Sequence, residues 1–271
     1  MDTYYKSLCF QGEIEDVGSR PGSVWAVCGG IMATIAAPRI DSSTSRLIAP
    51  RWHTALLAAL FLGLAIGGAL FQRHARSESG MLRQHPQAVP IYISLIAMEW
   101  GLFVWVWRGG LRKTGTKLRD LIGGKWSSAK DVLADCGLAL GLWAVWTLAE
   151  LAWNRVFGVG NAASIQIFLP KRGLEILLWV GVSISAGFCE ELVFRGYFQK
   201  QFEAFTKRRW IAWVLQAVLF GIAHGYQGTE SCVKIACFGA VYGSLAIWRG
   251  SLRPGMIAHA GGDILSGIFG I

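Results

Sequence analysis

Long apolar runs separated by short polar segments make up most of the chain after residue 50. The runs reach roughly the 17 to 25 residues that an α-helix needs to cross a bilayer. They lie at approximately 54–71, 89–107, 132–153, 174–198, 210–225, 231–248 and 254–269. This pattern predicts an all-α fold, a polytopic transmembrane helical bundle with about seven spans.

The first 50 residues follow a different pattern. They mix Gly, Ser and Asp with one weak apolar patch at 24–37, which is too short and too Gly-rich to predict a span. No Arg-rich region with a cleavage site indicates a signal peptide there. We therefore expect a poorly ordered or interfacial tail at 1–50, three transmembrane helices within 51–173 and four more within 174–271. Met32 is an alternative start of the polypeptide.

Composition and charge agree with a membrane protein. Hydrophobic residues make up 53% of the chain and charged residues 16%, against about 25% charged residues in ordinary globular proteins. The net charge of +9 comes from Lys and Arg clustered between the apolar runs, which is typical of positive-inside loops and argues against a nucleic-acid partner. We expect a cytoplasmic N-terminus, because the clusters at 108–130 and 200–209 fall on its side. Basic and apolar positions alternate at helical spacing within 111–122, which predicts a segment on the anionic cytoplasmic leaflet.

Ionisable side chains interrupt the last apolar runs. Glu190 and Glu191 end one run, His224 ends the next, and His259 and Asp263 share the last. Moving each acid into a bilayer would cost about 2.5 to 3.5 kcal/mol. The sum for three acids, roughly 8 to 10 kcal/mol, is comparable with the stability of a whole domain. We therefore expect these side chains to be paired with one another or to be functional.

Helix geometry predicts which of these side chains can meet. If the chain turns at Lys207 between two continuous antiparallel helices, Glu190 lies 17 residues before the turn and His224 lies 17 after it. At 1.5 Å per residue both lie about 25 Å from the turn, so they can be neighbours. Glu191 and Arg195 are four residues apart and can form an ion pair on one face, whereas Glu190 points about 100° away from Glu191.

Small residues near these groups favour close helix packing. Those at 186 and 187 share the face of Glu190, which would bring its carboxylate towards a facing helix. His259 and Asp263 are again four apart, with glycines at 261 and 262 between them, so the aspartate can orient and charge its histidine. A carboxylate with two imidazoles and an orienting acid is a candidate site for activating a water molecule.

Other ionisable groups have simpler interpretations. Interhelical or interfacial bonding accounts for Glu99, Glu150 and Glu175, and solvation in or next to loops accounts for His53, His74 and His85. Taken alone, His224 could equally be a structural hydrogen-bonding group, and Glu191 with Arg195 a structural pair. The conjunction of these groups in one chain favours a functional site.

Three segments resemble, in order, the motifs of the CPBP intramembrane proteases. They are EELVFRGY at 190–197, FGIAHG at 220–225 and RGSLRPGMIAHAGGD at 249–263. This family includes the CAAX prenyl protease 2 type and bacterial abortive-infection and lysostaphin-resistance-like proteins. The resemblance, over about 174–269, implies a protease core in the last four helices. It implies an intramembrane endopeptidase in a bacterial inner membrane, with a membrane-associated protein or peptide as substrate.

The resemblance also implies roles for individual residues. Glu190 and His224 would activate the water that attacks a peptide carbonyl, and His259 with residue 263 would stabilise the oxyanion. The supporting positions would be Glu191, Arg195 and Phe220. Asn often occupies the last position in prenyl-protease members, but this chain has Asp263, which cannot donate a hydrogen bond when ionised. Either apolar surroundings hold Asp263 protonated or it acts by orienting and charging His259, and we favour the second role.

Metal use and two other function classes stay open. Glu190, His224 and His259 could bind Zn²⁺ with a free position for water, but the sequence has no HExxH motif. We favour a metal-free, glutamic-type mechanism with no cofactor. A catalytically idle immunity or scaffolding protein of the same fold is one alternative. A proton-coupled transporter is the other, since intramembrane acids and histidines suit it, although the sequence lacks visible inverted repeats.

Overall fold

The computed structural model describes residues 24–28, 31–35, 46–77, 88–157, 169–171 and 173–269. The chain divides into two compact units, 1–43 and 44–271. In the first unit, β1 (Val24–Cys28) pairs antiparallel with β2 (Ile31–Ile35), with Val24 opposite Ile35. The β-branched and aromatic residues in these segments favour strands. This pairing was not predicted from the sequence.

The described part of the second unit consists of helices and short turns. Its α-helices are α1 (Arg51–Ser77), α2 (Ala88–Trp105), α3 (Leu118–Ile122), α4 (Ala129–Phe157), α5 (Gly173–Glu190), α6 (Gln199–Thr206), α7 (Arg209–Ala223), α8 (Thr229–Arg249) and α9 (Arg253–Phe269). Short segments of π or 3₁₀ helix join some of them: Val106–Gly110, Leu111–Thr114, Glu191–Phe198 and Gly225–Gln227. The predicted all-α fold class is confirmed for this unit.

The predicted spans correspond to long helices of the second unit. Within the described residues, five helical units are long and apolar enough to cross a membrane: Arg51–Leu70, Ala88–Thr114, Ala129–Val156, Gly173–Thr206 and Thr229–Arg249. The helices at the other two predicted spans are shorter, with 15 residues in α7 and 17 in α9. The polytopic bundle is confirmed, and five of the predicted seven spans meet this criterion of length and composition.

One long helical unit, Gly173–Thr206, carries the EELVFRGY motif. Its α5 ends at Glu190, a π-helical segment occupies Glu191–Phe198, and α6 completes the unit. Lys207 then adopts a left-handed conformation, with φ of 57°, and the chain reverses into α7. The turn predicted at this position is confirmed. The π-helical segment was not predicted, and such segments are rare and frequently lie at functional sites.

The core of the second unit surrounds this π-helical segment, whose eight residues are all buried. Phe194 packs against Phe61 of α1 and Phe220 of α7, with ring centroids 5.0 and 4.7 Å apart. Phe198 contacts Phe61 as well, at 6.0 Å. Aromatic pairs of this kind contribute about 0.5 to 1.5 kcal/mol beyond their area burial. These contacts hold the segment that follows Glu190 against α1 and α7.

Gly187 lies at a close approach of the α5 and α9 backbones. A Cβ atom at Gly187 would lie 2.7 Å from the backbone nitrogen of Ala260, so the two backbones are in direct contact there. The close approach predicted for position 187 is confirmed, and it brings Glu190 against α9. The prediction for the other two glycines is wrong. A Cβ at Gly261 would have no neighbour within 4 Å, and one at Gly262 would meet a side chain of α4 only at an ordinary 3.5 Å.

α2 lies beside α5 and runs in the same direction. Near the start of both helices, the rings of Tyr92 and Trp179 are 5.6 Å apart. Further along, Trp100 Nε1 donates a hydrogen bond to Ser185 Oγ at 3.0 Å, and the Trp100 ring stacks on Phe188 with a centroid separation of 5.7 Å. Contacts at two levels determine both the depth and the rotation of α2 relative to α5.

The prediction of a solvated His53 is wrong. This side chain is fully buried, with Nδ1 2.8 Å from Tyr197 Oη and Nε2 3.3 Å from the carbonyl oxygen of Trp105. Buried polar groups are stable when they are hydrogen-bonded, and His53 therefore links α1 to α2 and to the π-helical segment. The side chains of His74 and His85 lie outside the described residues.

The segment 111–122 does not form one continuous helix. Its 3₁₀ turn, Leu111–Thr114, is separated from α3 by Gly115, whose φ of 72° interrupts the helical spacing. Leu111 and Leu121 are buried in the core. The apolar positions of this segment therefore pack against protein, because the core of the second unit extends to it.

Candidate active site

His259 of α9 lies among carboxylates from two of the motifs. Its Nδ1 atom is 3.1 Å from Glu191 Oε1. Its Nε2 atom is 3.8 Å from Glu190 Oε2 and 3.7 Å from Asp263 Oδ2. The imidazole is buried, with 7% of the residue exposed. The structure therefore brings together four of the site residues predicted from the sequence.

The contact with Glu191 assigns one nitrogen of His259. An ionised carboxylate only accepts hydrogen bonds, so Nδ1 carries a hydrogen and donates it to Glu191 Oε1. Nε2 is then the nitrogen that faces Glu190 and Asp263. The distances from Nε2, 3.8 and 3.7 Å, are those of ion pairs and are longer than hydrogen bonds. Nε2 is therefore the atom of His259 that a reacting group could contact.

The predicted ion pair between Glu191 and Arg195 is confirmed. Arg195 Nη1 lies 3.1 Å from Glu191 Oε1, and both side chains are buried. The guanidinium carbon also sits 4.1 Å from the ring centroid of Phe220 and 5.7 Å from those of Phe238 and Tyr242. Aromatic faces attract a desolvated cation. Phe220 thus covers the charge that neutralises Glu191.

Asp263 occupies the position predicted one turn beyond His259, but it is not the acid closest to the imidazole. Its side chain is 41% exposed and stands 3.7 Å from Nε2, whereas Glu191 is 1% exposed and contacts Nδ1 at 3.1 Å. Glu191 is therefore the residue within hydrogen-bonding distance of His259. We predicted an orienting role for Asp263 because the four-residue spacing was visible in the sequence, and the spacing does not show contacts between helices.

His224 follows the last residue of α7 and is partly buried. Its Nδ1 lies 2.9 Å from the carbonyl oxygen of Phe220, and a carbonyl only accepts, so Nδ1–H donates and Nε2 keeps its lone pair. Among the described residues, no carboxylate lies within 4.0 Å of the His224 ring nitrogens. The Phe220 ring contacts His224 at 4.8 Å and His259 at 6.5 Å. His224 therefore reaches the group around His259 through Phe220, and not by direct contact with Glu190.

α2 contributes a carboxyl group that sequence analysis did not place in the site. Glu99 is buried, with 8% of the residue exposed. Its carboxyl group lies beside that of Glu190 and is close enough to His259 and Asp263 to interact with them electrostatically. One signal in the sequence could have singled it out, because Glu99 is the sole charged residue in the apolar run 89–107.

The three residues considered as zinc ligands are not grouped as a metal site. Within the part of the chain that the structure describes, no set of three or more His, Cys, Asp and Glu side chains is arranged to hold a metal ion. Glu190 and His259 are near each other, but His224 contacts neither of them through its ring nitrogens. The side chains as arranged do not fit a zinc ion with these three ligands.

Comparison with known proteins finds a match, and it lies in this part of the chain. Residues 172–265 match the family model described as Rce1-like, type II CAAX prenyl endopeptidase. The matched segment contains the three motifs in full. The resemblance to the CPBP proteases is thereby confirmed. No curated protein and no solved structure matches the chain.

Proposed function

On the premise that residues 172–265 carry an Rce1-like protease domain in an integral membrane bundle, we propose that this protein is an intramembrane endopeptidase of the glutamic type. It hydrolyses a peptide bond of a membrane-associated protein or peptide. The observation that carries the proposal is the approach of Glu190 Oε2 to His259 Nε2, 3.8 Å apart in a buried part of the bundle. A carboxylate beside an imidazole can exchange protons with a reacting water molecule.

Glu190 is the general base in this proposal. Its carboxylate takes one proton from water while the water oxygen attacks the carbonyl carbon of the scissile bond. The carbonyl oxygen becomes an oxyanion, and the bond to the amide nitrogen then breaks as Glu190 returns the proton to the leaving amine. A positioned acid or base of this kind contributes typically about 10² to 10⁴ in rate.

His259 stabilises the oxyanion in the protonated form. Its Nδ1–H is held by Glu191, so that Nε2–H is the donor directed at the developing charge. The carboxylates around the ring favour the imidazolium, because opposite charges nearby stabilise the charged form. Asp263, 3.7 Å from Nε2, acts through His259 by charge and not as a donor.

His224 assists by orienting the attacking water. Its Nδ1–H is engaged with the Phe220 carbonyl oxygen, which leaves Nε2 to accept a hydrogen bond from that water.

We propose no metal and no cofactor. In support, the three residues that a zinc ion would use are not arranged as a metal-binding group in the described part of the chain.

We further propose a bacterial inner membrane location with the N-terminus in the cytoplasm. The distribution of Lys and Arg supports this orientation, since basic segments stay on the cytoplasmic side. The bilayer itself and a membrane-associated protein or peptide would then be the partners, and nucleic acid would not.

Cleavage by purified protein in lipid vesicles tests the proposed function. The probes are a farnesylated CAAX peptide and its unprenylated counterpart, both anchored in the vesicle, with the products identified by mass spectrometry. We expect cleavage by wild type, and a loss of about 10² or more with Glu190→Gln, which keeps the shape of the side chain and removes the base. Glu150→Gln is the matched control, because Glu150 pairs with Lys234 at 2.7 Å on another helix.

Two results would overturn the proposal. The first is the same cleavage rate with Glu190→Gln as with wild type. The second is no difference in the peptides released from native membranes containing wild type and from those containing Glu190→Gln, measured by quantitative proteomics. The second measurement needs no prior choice of substrate, and it also identifies the scissile bond.

A further inference from the structure

Glu99 is a buried acid that pairs with no Lys or Arg side chain in the part of the chain that the structure describes. It lies in the middle of α2, and no Lys or Arg side chain in the described residues comes within 4.0 Å of its carboxyl group. A charged carboxylate in a bilayer costs about 2.5 to 3.5 kcal/mol. Burial without a Lys or Arg partner therefore makes the ionised form of Glu99 costly.

The position of Glu99 is held by its neighbours in the chain. Trp100, the next residue, is bonded to Ser185 and stacked on Phe188, and both of these lie on α5 within two turns of Glu190. The groups close enough to Glu99 to interact with it electrostatically belong to three parts of the fold. They are Glu190 and Cys189 on α5, His259 and Asp263 on α9, and Tyr226 in the short 3₁₀ turn.

The contact between Glu99 and Glu190 requires a proton. Two adjacent buried carboxylates repel each other when both are ionised, so the pair is stable when one hydrogen lies between them. Glu190 faces the imidazole of His259 at 3.8 Å. Glu99 is less exposed to solvent than Glu190. The negative charge is therefore better placed on Glu190 and the hydrogen on Glu99.

We propose that Glu99 is a positioning residue, whose protonated carboxyl group donates a hydrogen bond to the Glu190 carboxylate and holds its other oxygen towards His259. This inference rests on the proposed function, because it assigns Glu190 as the base. The hydrogen bond occupies one oxygen of Glu190 and prevents the side chain from rotating away. A reacting group misplaced by about 1 Å can lose on the order of 10² in rate.

Conservative substitutions separate this role from simple packing. Glu99→Gln keeps an N–H donor of the same length, whereas Glu99→Leu keeps the bulk and removes the donor. With the vesicle assay and the farnesylated peptide, we expect kcat to fall by about 10- to 100-fold for Glu99→Leu, with KM little changed. Glu99→Gln should stay within about threefold of wild type, because the hydrogen bond to Glu190 is preserved. Equal kcat values for Glu99→Leu and wild type would overturn the proposal.

Infrared spectroscopy tests the hydrogen bond without any substrate. In vesicles at neutral pH, wild type should show the carbonyl stretch of a protonated carboxylic acid, and Glu99→Gln should lack this component. Glu190→Gln should shift the band without removing it, because Glu99 keeps its hydrogen and changes its acceptor. A difference spectrum between wild type and Glu99→Gln that contains no such band would overturn the proposal, with Glu150→Gln as the control that should change nothing.

The two assays distinguish the two proposals. If the infrared band behaves as expected and Glu190→Gln cleaves as fast as wild type, the proposed function fails and Glu99 is shown to donate to a glutamate that is not the base. If Glu190→Gln is inactive and Glu99→Leu is as active as wild type, the positioning role fails and the proposed function stands.

Discussion

Glu191 and His259 are 68 positions apart in the chain, and the Nδ1 atom of the histidine lies 3.1 Å from the Oε1 atom of the glutamate. The same oxygen is 3.1 Å from Arg195 Nη1. One carboxylate oxygen therefore serves a buried ion pair and orients an imidazole of the candidate site. Disruption of the ion pair should therefore also displace the imidazole of His259, since both contacts depend on the position of Glu191.

Arg195→Ala should lower the folded yield and the thermal stability in detergent. It leaves Glu191 as a buried charge without its cation, and the removal of one partner of a buried pair costs about 3 to 5 kcal/mol. Arg209→Ala is the matched control, because Arg209 pairs with Glu203 at 3.2 Å with 54% of its side chain exposed. Exposed pairs contribute about 1 kcal/mol or less. Unfolding temperatures that are equal for the two variants would argue against a stabilising role for the buried pair.

Gly187→Ala should destabilise the contact between α5 and α9. The added Cβ would lie 2.7 Å from the Ala260 backbone nitrogen, which cannot move without shifting the helix. Overpacking of this kind costs about 1 to 3 kcal/mol. Gly261→Ala adds the same methyl group where no atom lies within 4 Å and should leave stability unchanged or slightly raised. Thermal unfolding of both variants in the same detergent checks the difference, and a larger loss with Gly261→Ala would contradict it.

Substitutions of Asp263 test whether it acts by charge or by donation. Asp263→Asn should keep a measurable fraction of activity, because the amide can donate a hydrogen bond to the oxyanion directly. Asp263→Ala can neither charge His259 nor donate a hydrogen bond. It should lose about 10² to 10³ in kcat, the usual effect of removing one oxyanion stabiliser. Peptide cleavage in vesicles gives both rates. Equal, large losses for the two variants would show that a donor at this position cannot replace the charge, and wild-type rates for both would show that neither matters.

Chelation separates the glutamic mechanism from a zinc-dependent one. If no metal takes part, treatment of the purified enzyme with a strong chelator should leave kcat unchanged, and elemental analysis should find well below one zinc ion per chain. Stoichiometric zinc, whose removal abolishes activity and whose return restores it, would reassign Glu190, His224 and His259 as ligands. The same preparation of Glu190→Gln is the control for zinc bound elsewhere on the protein.

The proposed orientation predicts the accessibility of Lys117, an exposed residue between α2 and α4. A cysteine introduced by Lys117→Cys should react with a membrane-impermeant thiol reagent in inverted vesicles and not in intact cells, because the surrounding basic segment would stay in the cytoplasm. The wild-type protein gives the background from its own cysteines. Labelling of Lys117→Cys in intact cells would place this segment outside.

The local features of the site were accessible from the sequence. The pairing of Glu191 with Arg195 followed from a four-residue spacing, and this ion pair was found in the structure. The turn at Lys207 followed from a basic cluster between two apolar runs. Both predictions succeeded because neighbours along one helix are determined by helical periodicity, which does not depend on the rest of the fold.

The contacts between helices were not accessible in the same way. Glu99 was interpreted as an ordinary bonding group because nothing in its own run shows that α2 lies beside α5. The burial of His53 was missed for the same reason, since its partner Tyr197 belongs to another part of the chain. The π-helical segment after Glu190 also depends on packing, because its sequence differs little from that of an α-helix.

By itself, the sequence determined that this protein is a bundle of apolar helices and that its acids and histidines stand at the ends and in the interiors of the last runs. Hydrophobic length and residue type suffice for that, because lipid accepts few other backbone structures. The tertiary structure decided which of these groups meet: Glu191 with His259, Glu99 with Glu190, and His224 with Phe220 rather than with a carboxylate. Those contacts depend on the rotation and depth of each helix, which the close approach at Gly187 and the stacking of Trp100 determine across the bundle.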